Sequence, residues 1–168
     1  MSVLIGCAGE HGSTVEVAER ICARIAARGH PVDIQPFDEA PALDGRTAVV
    51  LGSAVHDGAW LPVAAGFVRD HRAELAGMPV WMFSVGMTGA LRGPARRLAE
   101  RGEQQPVAEL VELIAPRGYR RFSGVVRPDH FGRGGRLMFT LGGGRYGDFR
   151  DWPAIDSWAD TIADALSD

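Results

Sequence analysis

The sequence predicts a single α/β domain over residues 1–168, with five parallel strands in the order 2-1-3-4-5 and helices on both faces of the sheet. Apolar runs of strand length alternate along the chain with stretches of helical periodicity, which is the pattern of a doubly wound sheet. Hydrophobic residues make up 46% of the chain, which is enough for a core on each face.

The first half of the chain contains three predicted strands. Residues 2–7 form an apolar run, and residues 14–28 repeat apolar side chains at helical spacing before a glycine ends the helix. Residues 32–37 alternate in polarity and predict a strand near an edge. Residues 38–45 predict a turn or a brief helix, and residues 47–52, which are apolar almost throughout, predict a central strand.

The second half repeats this alternation and ends in an amphipathic helix. Pro62 marks a helix start, because proline is favoured in the first turn, where its missing N–H is not needed. The predicted elements are a helix over 62–75, a strand over 80–85, a mostly helical stretch over 94–114 interrupted near 102–106, a strand over 119–126 and a helix over 152–166.

The charged residues exclude some chemistry and suggest a partner. All 18 basic residues are arginines, which excludes sites that depend on a lysine, such as a Walker A motif or a Schiff base. The formal net charge is −3, yet residues 92–150 hold 12 arginines against 6 acidic residues. This basic stretch predicts an anionic partner, namely an acidic lipid, a carboxylated substrate or an acidic protein. The alternative is that these arginines are only solvated surface. We expect no nucleic-acid partner.

Other features point to a reducing compartment. Cys7 and Cys22 lack the spacing of a disulfide framework or of a metal site. The chain has no signal-peptide pattern and no apolar run near the roughly 18 residues that span a membrane. We therefore expect a cytoplasmic protein without a metal.

In an open parallel sheet, ligands bind beyond the carboxyl ends of the strands, at the switch point between strands 1 and 3. This rule selects the loops 8–14, 53–60 and 84–93. The first is a Gly/Ser/Thr loop that leads into a helix N-terminus, where unpaired amides and the helix dipole favour a phosphate. The alternative is that Ser13–Glu16 form only a capping box. Glu10 is unfavourable beside a phosphate unless it points to solvent.

The other two loops could hold a planar ring. His56 and Trp60 can stack on it, and Asp57-Gly58 is a turn pair. Alternatively, Trp60 is a core residue and His56 an ordinary exposed histidine. The glycines of loop 84–89 let the backbone approach a ligand, unless the loop is a plain connection. No catalytic side chain is assigned. The candidate cofactor-binding residues are Gly9, Glu10, His11, Gly12, Ser13, Thr14, Ser53, Ala54, Val55, His56, Asp57, Gly58, Trp60, Ser84, Val85, Gly86, Met87, Thr88 and Gly89.

With these loops in place, the chain resembles the flavodoxin-domain family related to menaquinone-dependent protoporphyrinogen oxidase. The matching segments are Gly12-Ser13-Thr14, residues 50–55 with Gly58 and Trp60, residues 67–72, residues 79–84 and residues 147–152. The resemblance implies a flavodoxin-like fold that binds FMN, with loop 9–14 on the phosphate and loops 53–60 and 84–89 flanking the isoalloxazine. It also implies a porphyrinogen- or quinone-like electron partner.

The resemblance further identifies residues 127–147 as the family's insert before the last helix, linked to substrate or membrane contact. A location peripheral to the inner face of the membrane would follow. This segment holds seven glycines and an apolar patch, Leu137–Phe139 with Leu141. Whether the patch touches a membrane, a second subunit in a homodimer or its own core is left open.

The chain departs from the family pattern at the phosphate loop. The family carries threonine or serine at position 9, a lysine-like residue at position 10 and tyrosines near His11 and His56. A lost hydroxyl and a gained carboxylate each predict a cost of roughly 1 kcal/mol or more, together about tenfold in FMN affinity. A protonated His11 would offset Glu10. Three functions follow: an FMN-dependent oxidoreductase, a flavodoxin-type electron carrier, or a binding protein that has lost FMN.

Overall fold

The computed structural model describes residues 2–100 and 104–167, which form a parallel sheet between two layers of helices. The strands are β1 (Ser2–Ala8), β2 (Val32–Pro36), β3 (Arg46–His56), β4 (Ala59–Trp60), β5 (Val80–Gly86), β6 (Gly118–Ser123), β7 (Val125–Val126) and β8 (Gly147–Asp148). The helices are α1 (Ser13–Ala27), α2 (Pro62–Asp70), α3 (Arg72–Leu75), α4 (Gly93–Glu100), α5 (Gln105–Ile114), α6 (Arg133–Leu141) and α7 (Trp152–Ser167). Short 3₁₀ turns lie at Phe37–Glu39, Thr88–Ala90 and Pro128–His130.

The order of the main sheet confirms the predicted fold. It runs β2-β1-β3-β5-β6 with every neighbouring pair parallel, which is the order 2-1-3-4-5 of the five predicted strands. The switch point therefore lies between β1 and β3, and the carboxyl ends of β1, β3, β5 and β6 meet at one edge.

The alternating direction of side chains along each strand divides the core between the two faces. Val3 and Ile5 of β1 point to one face, where α1 and α7 cover them, and Leu4 between them points to the other. The helical residues of the first core cluster are Val17, Ala18, Ile21, Ile25, Ile155, Trp158, Ala159 and Ile162. Those of the second, on α2, α3 and α5, are Ala64, Ala65, Phe67, Val68, Leu75, Val107, Leu110 and Ile114.

The structure corrects the prediction for residues 53–60, which are not a loop. β3 continues to His56 and pairs in antiparallel fashion with β4, so that His56 lies opposite Ala59. The two residues between them, Asp57 and Gly58, have φ angles of 47° and 79°. Positive φ at both central positions is the hallmark of the two-residue hairpin turn that Asp-Gly favours. The sequence indicates the turn through its Asp-Gly pair. It does not indicate the hairpin, because β4 is only two residues long and gives no periodic signal.

Other corrections lie in the second half. The predicted strand 119–126 breaks at Gly124, where the chain leaves the sheet and β7 pairs with β8 instead. The predicted helix 62–75 is divided at His71, whose φ of −102° and ψ of 15° interrupt it. α6 was not predicted, because its glycines obscure the helical pattern. Of the predicted interruption at 102–106, residues 101–103 lie outside the described part, and α5 begins at Gln105.

A ladder of ion pairs joins α1 to α7. The three pairs repeat every four residues on both helices. Because the two helices run parallel, each arginine faces the aspartate at the same level of α7. They are Arg20–Asp156, Arg24–Asp160 and Arg28–Asp164. The hydrogen bond from Arg20 lowers the pKa of Asp156, so this pair's stabilisation is present above the ordinary pKa of an aspartate and is lost as the pH falls.

The residues before α7 fix it to the rest of the fold. The guanidinium of Arg150 donates to Asp148 Oδ1 and Oδ2 at 2.9 and 2.6 Å and also pairs with Glu16 of α1. It lies over the ring of Trp152, 4.7 Å from the centroid. These hydrogen bonds raise the pKa of Arg150 above its already high ordinary value. The segment 147–152 therefore has a structural role, because Arg150 joins α1, β8 and the start of α7.

The first turn of α7 gives a stability prediction. Asp151 Oδ1 accepts a hydrogen bond from the backbone N–H of Ala154, 3.0 Å away, which is the geometry of an N-cap. We expect Asp151→Ala to lower the free energy of unfolding by about 1 kcal/mol, because this amide then loses its acceptor. Asp151→Asn keeps an oxygen in place and should cost much less. Urea unfolding of both variants is the measurement, and equal costs would show that capping is not the cause.

Candidate functional site

A cleft of about 290 Å³ opens at the carboxyl edge of the sheet, at the predicted switch point. All three predicted segments contribute to it, which brings together residues that are more than 70 positions apart in the sequence. Its lining residues are Glu10, His11, Ser13, Thr14, Ala54, Val55, His56, Asp57, Val85, Gly86, Met87, Gly124, Val125, His130 and Phe131. The predicted candidates that do not line the cleft are Gly9, Gly12, Ser53, Gly58, Trp60, Ser84, Thr88 and Gly89.

The N-terminus of α1 opens into this cleft without a side-chain cap. The N-cap residue is Gly12, which has a φ of 85° and no side chain with which to cap. Glu16, whose N–H bonds to Gly12 O at 3.0 Å, directs its carboxylate to Arg150 and not back to the N-cap. The capping-box interpretation of Ser13–Glu16 is therefore wrong. The amides of the first turn, beside the Ser13 hydroxyl, remain available to an anion from outside.

Packing explains the glycine at position 9. Thr14 is buried, with 1% of its surface exposed, and lies directly against the backbone of Gly9. A Cβ atom on residue 9 would stand 2.7 Å from Thr14 Cβ and 2.9 Å from Thr14 Oγ1. The loop therefore has no space for the threonine or serine of the family pattern.

Two histidines lie beside Glu10 in the cleft, and a third stacks on one of them. Glu10 Oε2 lies 3.3 Å from Nδ1 of His56 and 3.8 Å from Nε2 of His11. His11 in turn stacks on His130, with ring centroids 3.9 Å apart and an angle of 6° between the planes. The Glu10 carboxylate thus faces two imidazoles, which reduces its repulsion of a nearby phosphate when either is protonated.

Trp60, Ser84 and Ser53 belong to the interior behind the cleft. Trp60 is 3% exposed, and its Nε1–H donates to Ser84 Oγ at 2.7 Å. Ser84 Oγ also shares a hydrogen bond with the Tyr119 hydroxyl at 2.8 Å. Ser53 Oγ accepts from the backbone N–H of Leu61 at 3.1 Å, which ties β3 to the start of α2. The two serine hydroxyls and the Trp60 indole therefore hold the strand ends in place. Trp60 is a core residue, which is the second of the two interpretations given by the sequence.

Sequence reasoning missed the fourth wall of the cleft. Gly124, Val125, His130 and Phe131 follow the end of β6 and complete the lining of the cleft. The predicted sheet order does contain a signal for this wall. The fifth predicted strand (119–126) is parallel to the other predicted strands, so its carboxyl end must lie at the same edge of the sheet as theirs. Nothing in the sequence pattern places His130 over His11, because that contact joins residues 119 positions apart.

The arrangement fits FMN. An uncapped helix N-terminus with a serine hydroxyl suits a phosphate, and the walls between β3, β5 and β7 are apolar side chains that suit a flat ring. Neither cysteine competes as a reactive group: Cys7 is buried, and burial raises the pKa of its thiol to about 11. Within residues 2–100 and 104–167, no cluster of three His, Cys, Asp or Glu side chains could bind a metal ion. Over the same residues, no helix is long and apolar enough to span a membrane.

Comparison with known proteins agrees with the fold. One protein-family model, that of the flavodoxin domain, matches residues 4–141. A flavodoxin from the domain Archaea superposes with a TM-score of 0.67 and 15% identity over 100% of both chains. Flavodoxin 1 from Bacillus cereus gives a TM-score of 0.63 and 13% identity over 98% of each chain.

A larger protein also contains this fold. Rubredoxin oxygen:oxidoreductase from Desulfovibrio gigas gives a TM-score of 0.66 and 17% identity over 99% of this chain, which spans only 36% of that protein's chain. At these identities the likeness is one of fold. None of the curated protein sequences matches this chain.

Proposed function

We propose that this chain, which belongs to the flavodoxin domain family, is an FMN-dependent oxidoreductase that exchanges electrons with a small porphyrinogen- or quinone-like molecule. Family membership indicates FMN as the cofactor. The observation that carries the proposal is the cleft that the carboxyl ends of β1, β3 and β5 and the segment after β6 form beside the N-terminus of α1. When bound there, FMN supplies one- or two-electron redox chemistry, and the protein supplies its binding, orientation and electrostatics.

Each part of the cleft has a distinct role in this proposal. The first-turn amides of α1 and the Ser13 hydroxyl would bind the phosphate, and Glu10 would be offset by His11 and His56. Val55 and Met87 would flank the ring from the ends of β3 and β5, where Met87 is 43% exposed. That exposure leaves an edge of the ring accessible to a partner. No side chain is assigned as a catalytic acid or base.

Charge and exposure favour an enzyme over a simple carrier. Carriers of the flavodoxin type tend to be acidic around the flavin, whereas residues 92–150 of this chain hold 12 arginines and 6 acidic residues. This stretch includes β6, β7 and the fourth wall of the cleft. A net positive charge over this half of the chain would attract a carboxylated molecule and repel a basic protein partner.

Turnover with a soluble quinone distinguishes the two functions. FMN-loaded protein is reduced anaerobically, mixed with a soluble naphthoquinone and compared with free FMN at the same concentration. The proposal predicts reoxidation faster than that of free FMN and saturation with increasing quinone, because the cleft binds the acceptor. A rate that rises linearly and never exceeds that of free FMN would favour the carrier. Turnover with a porphyrinogen donor then separates the two substrate classes.

We further propose that α6 attaches the protein to an anionic lipid surface. Leu137, Met138 and Leu141 share one face of α6 and are 62%, 72% and 74% exposed, while Phe139 on the opposite face packs against Phe131. The helix contains two arginines and no acidic residue. An amphipathic helix with only positive charges complements anionic headgroups.

Vesicle binding tests this attachment. We expect the protein to sediment with phosphatidylglycerol vesicles and not with phosphatidylcholine vesicles, and Met138→Asp to abolish sedimentation. Leu113→Asp on α5 makes the same change at a residue that is 45% exposed, and it should leave binding intact. If the two variants behave alike, or if the wild type forms a dimer that only Met138→Asp dissociates, α6 is not a lipid anchor.

Glu10 gives a prediction for FMN affinity. The Glu10 carboxylate opposes the phosphate, so Glu10→Gln should strengthen binding by up to about tenfold, or ~1.4 kcal/mol. Glu74→Gln is the control, because it makes the same change at an exposed residue of α3 that does not line the cleft, and it should leave affinity unchanged. Flavin fluorescence titration measures all three proteins, and an equal change in affinity in both variants would contradict repulsion between Glu10 and the phosphate.

A further inference from the structure

We propose that residues 127–144, here called the lid, cover the cleft through the His11–His130 stack and open when both imidazoles are protonated. The proposal rests on the proposed function only in naming FMN as the molecule that the lid retains. The contact between His130 of the lid and His11 on the other side of the cleft supports it.

The stack is the contact that spans the cleft. His11 follows β1 on one side, His130 lies in the lid on the other, and both line the cavity. Their rings are nearly parallel at 3.9 Å between centroids, which is full van der Waals contact. Phe131, the next residue, also lines the cavity. A molecule of FMN in the cleft would be enclosed on this side by these rings.

The lid is a small unit with its own packing. Phe131 stacks on Phe139 of α6 at 4.8 Å, and Phe139 also contacts Tyr146, which lies just beyond the lid, at 5.4 Å. Arg136 Nε donates to the carbonyl oxygens of Pro128 and Phe131, at 2.7 and 3.1 Å, which ties α6 to the turn that carries His130. The lid can therefore move as one piece.

The rest of the protein holds this piece weakly. None of the residues 127–144 is buried, and none belongs to either core cluster. Its ends are fixed, by the β7–β8 pairing before it and by the bond from Arg145 N to Ala90 O after it, 2.8 Å long. A segment with few buried contacts between fixed ends opens at low free-energy cost. The His11–His130 stack is thus well placed to decide whether it is open or closed.

The charges around the stack set its response to pH. The Glu10 carboxylate lies 3.8 Å from Nε2 of His11 and 3.3 Å from Nδ1 of His56. Protons on both His11 and His130 would bring two positive charges into contact. On the side of the lid, Asp129 favours the proton on His130 and Arg127 opposes it. Burial and then the His11 charge lower the pKa of His130, and these effects outweigh Asp129.

The lowered pKa of His130 determines whether acid opens or closes the lid. Since the closed lid lowers the pKa of His130, closure favours the neutral ring. This contribution to closure is therefore fully present above the ordinary histidine pKa of about 6.5 and is lost as the pH falls below it. One proton can change the opening equilibrium by at most tenfold per pH unit. The lid would retain FMN at neutral pH and release it faster in acid.

Proton NMR of the flavin-free protein tests the lid without any ligand. In the closed state each ring of the stack shields the other, so the ring protons of His11 and His130 should be shifted upfield at pH 8. The shift should disappear between about pH 6.5 and 5. His30 and His71, outside the cleft lining, are internal controls, and His11→Phe and His130→Phe assign the signals. Titration of His11 and His130 with the upfield shift retained would overturn the proposal.

The rate of FMN release gives the second readout. In the wild type, release should accelerate several-fold between pH 7.5 and 5.5. His130→Phe keeps a stacking ring that cannot be protonated and should be slow at both pH values, whereas His130→Ala should be fast at both. If His130→Phe accelerates in acid as the wild type does, another group is responsible and the proposal fails. If the protein does not bind FMN, the proposed function fails while the NMR experiment still decides the lid.

Discussion

Gly9→Ala is expected to lower the free energy of unfolding by about 1–3 kcal/mol and to weaken FMN binding. The new Cβ would lie 2.7 Å from Thr14 Cβ, well inside van der Waals contact. Overpacking of a tightly packed site typically costs this much, because neither the loop nor the buried threonine can move away freely. Since Thr14 is in the first turn of α1, its displacement also disturbs the amides proposed to bind the phosphate. Gly9→Thr, the residue of the family pattern, should be worse.

Gly66→Ala is the matched control for this prediction. Gly66 lies inside α2, and a Cβ there meets no atom within 4 Å. The same substitution should therefore stabilise the protein by about 0.5–1 kcal/mol, because glycine is unfavourable in a helix interior. Urea unfolding gives both free energies, and flavin fluorescence gives the affinities. If Gly9→Ala leaves both quantities unchanged, packing against Thr14 does not explain the glycine.

Ser84→Ala is expected to destabilise the protein by about 1–3 kcal/mol and to leave FMN affinity unchanged. The substitution removes the acceptor of the Trp60 Nε1–H, which lies 2.7 Å from Ser84 Oγ in the interior. A buried donor left without a partner costs its full desolvation penalty. FMN affinity should not respond, because Ser84 is 2% exposed and does not line the cleft.

A double-mutant cycle isolates this hydrogen bond. Trp60→Phe removes the donor, and in that background Ser84→Ala should cost clearly less than in the wild type. Equal costs in the two backgrounds would mean that the bond to Trp60 contributes little. A large loss of FMN affinity without a loss of stability would mean that Ser84 contacts the cofactor, as the sequence-based prediction proposed.

The sequence was most informative where a feature is local and periodic. The alternation of apolar runs with helical stretches predicts the sheet order, and with the switch-point rule it predicts which loops meet. Asp57-Gly58 marks a turn because the pair itself favours positive φ. In each case the physical cause lies within a few residues of the signal, so it can be recognised from one chain.

Features that depend on distant contacts could not be predicted in this way. Glu16 resembles part of a capping box, but Arg150, 134 positions away, binds its carboxylate. Gly9 resembles a lost phosphate ligand, but its cause is the packing of Thr14 across the loop. Trp60 and Ser84 resemble site residues because they lie at strand ends, and only the fold shows that they bond to each other. The fourth wall and α6 were missed for the same reason.

Titration of the purified protein with FMN, followed by flavin fluorescence and absorption, tests the central claim most directly. The account predicts saturable binding of one FMN per chain, with quenched fluorescence and a shifted flavin band, because the cleft encloses a ring beside a phosphate-binding helix N-terminus. Full fluorescence and an unshifted spectrum at high micromolar FMN would contradict it.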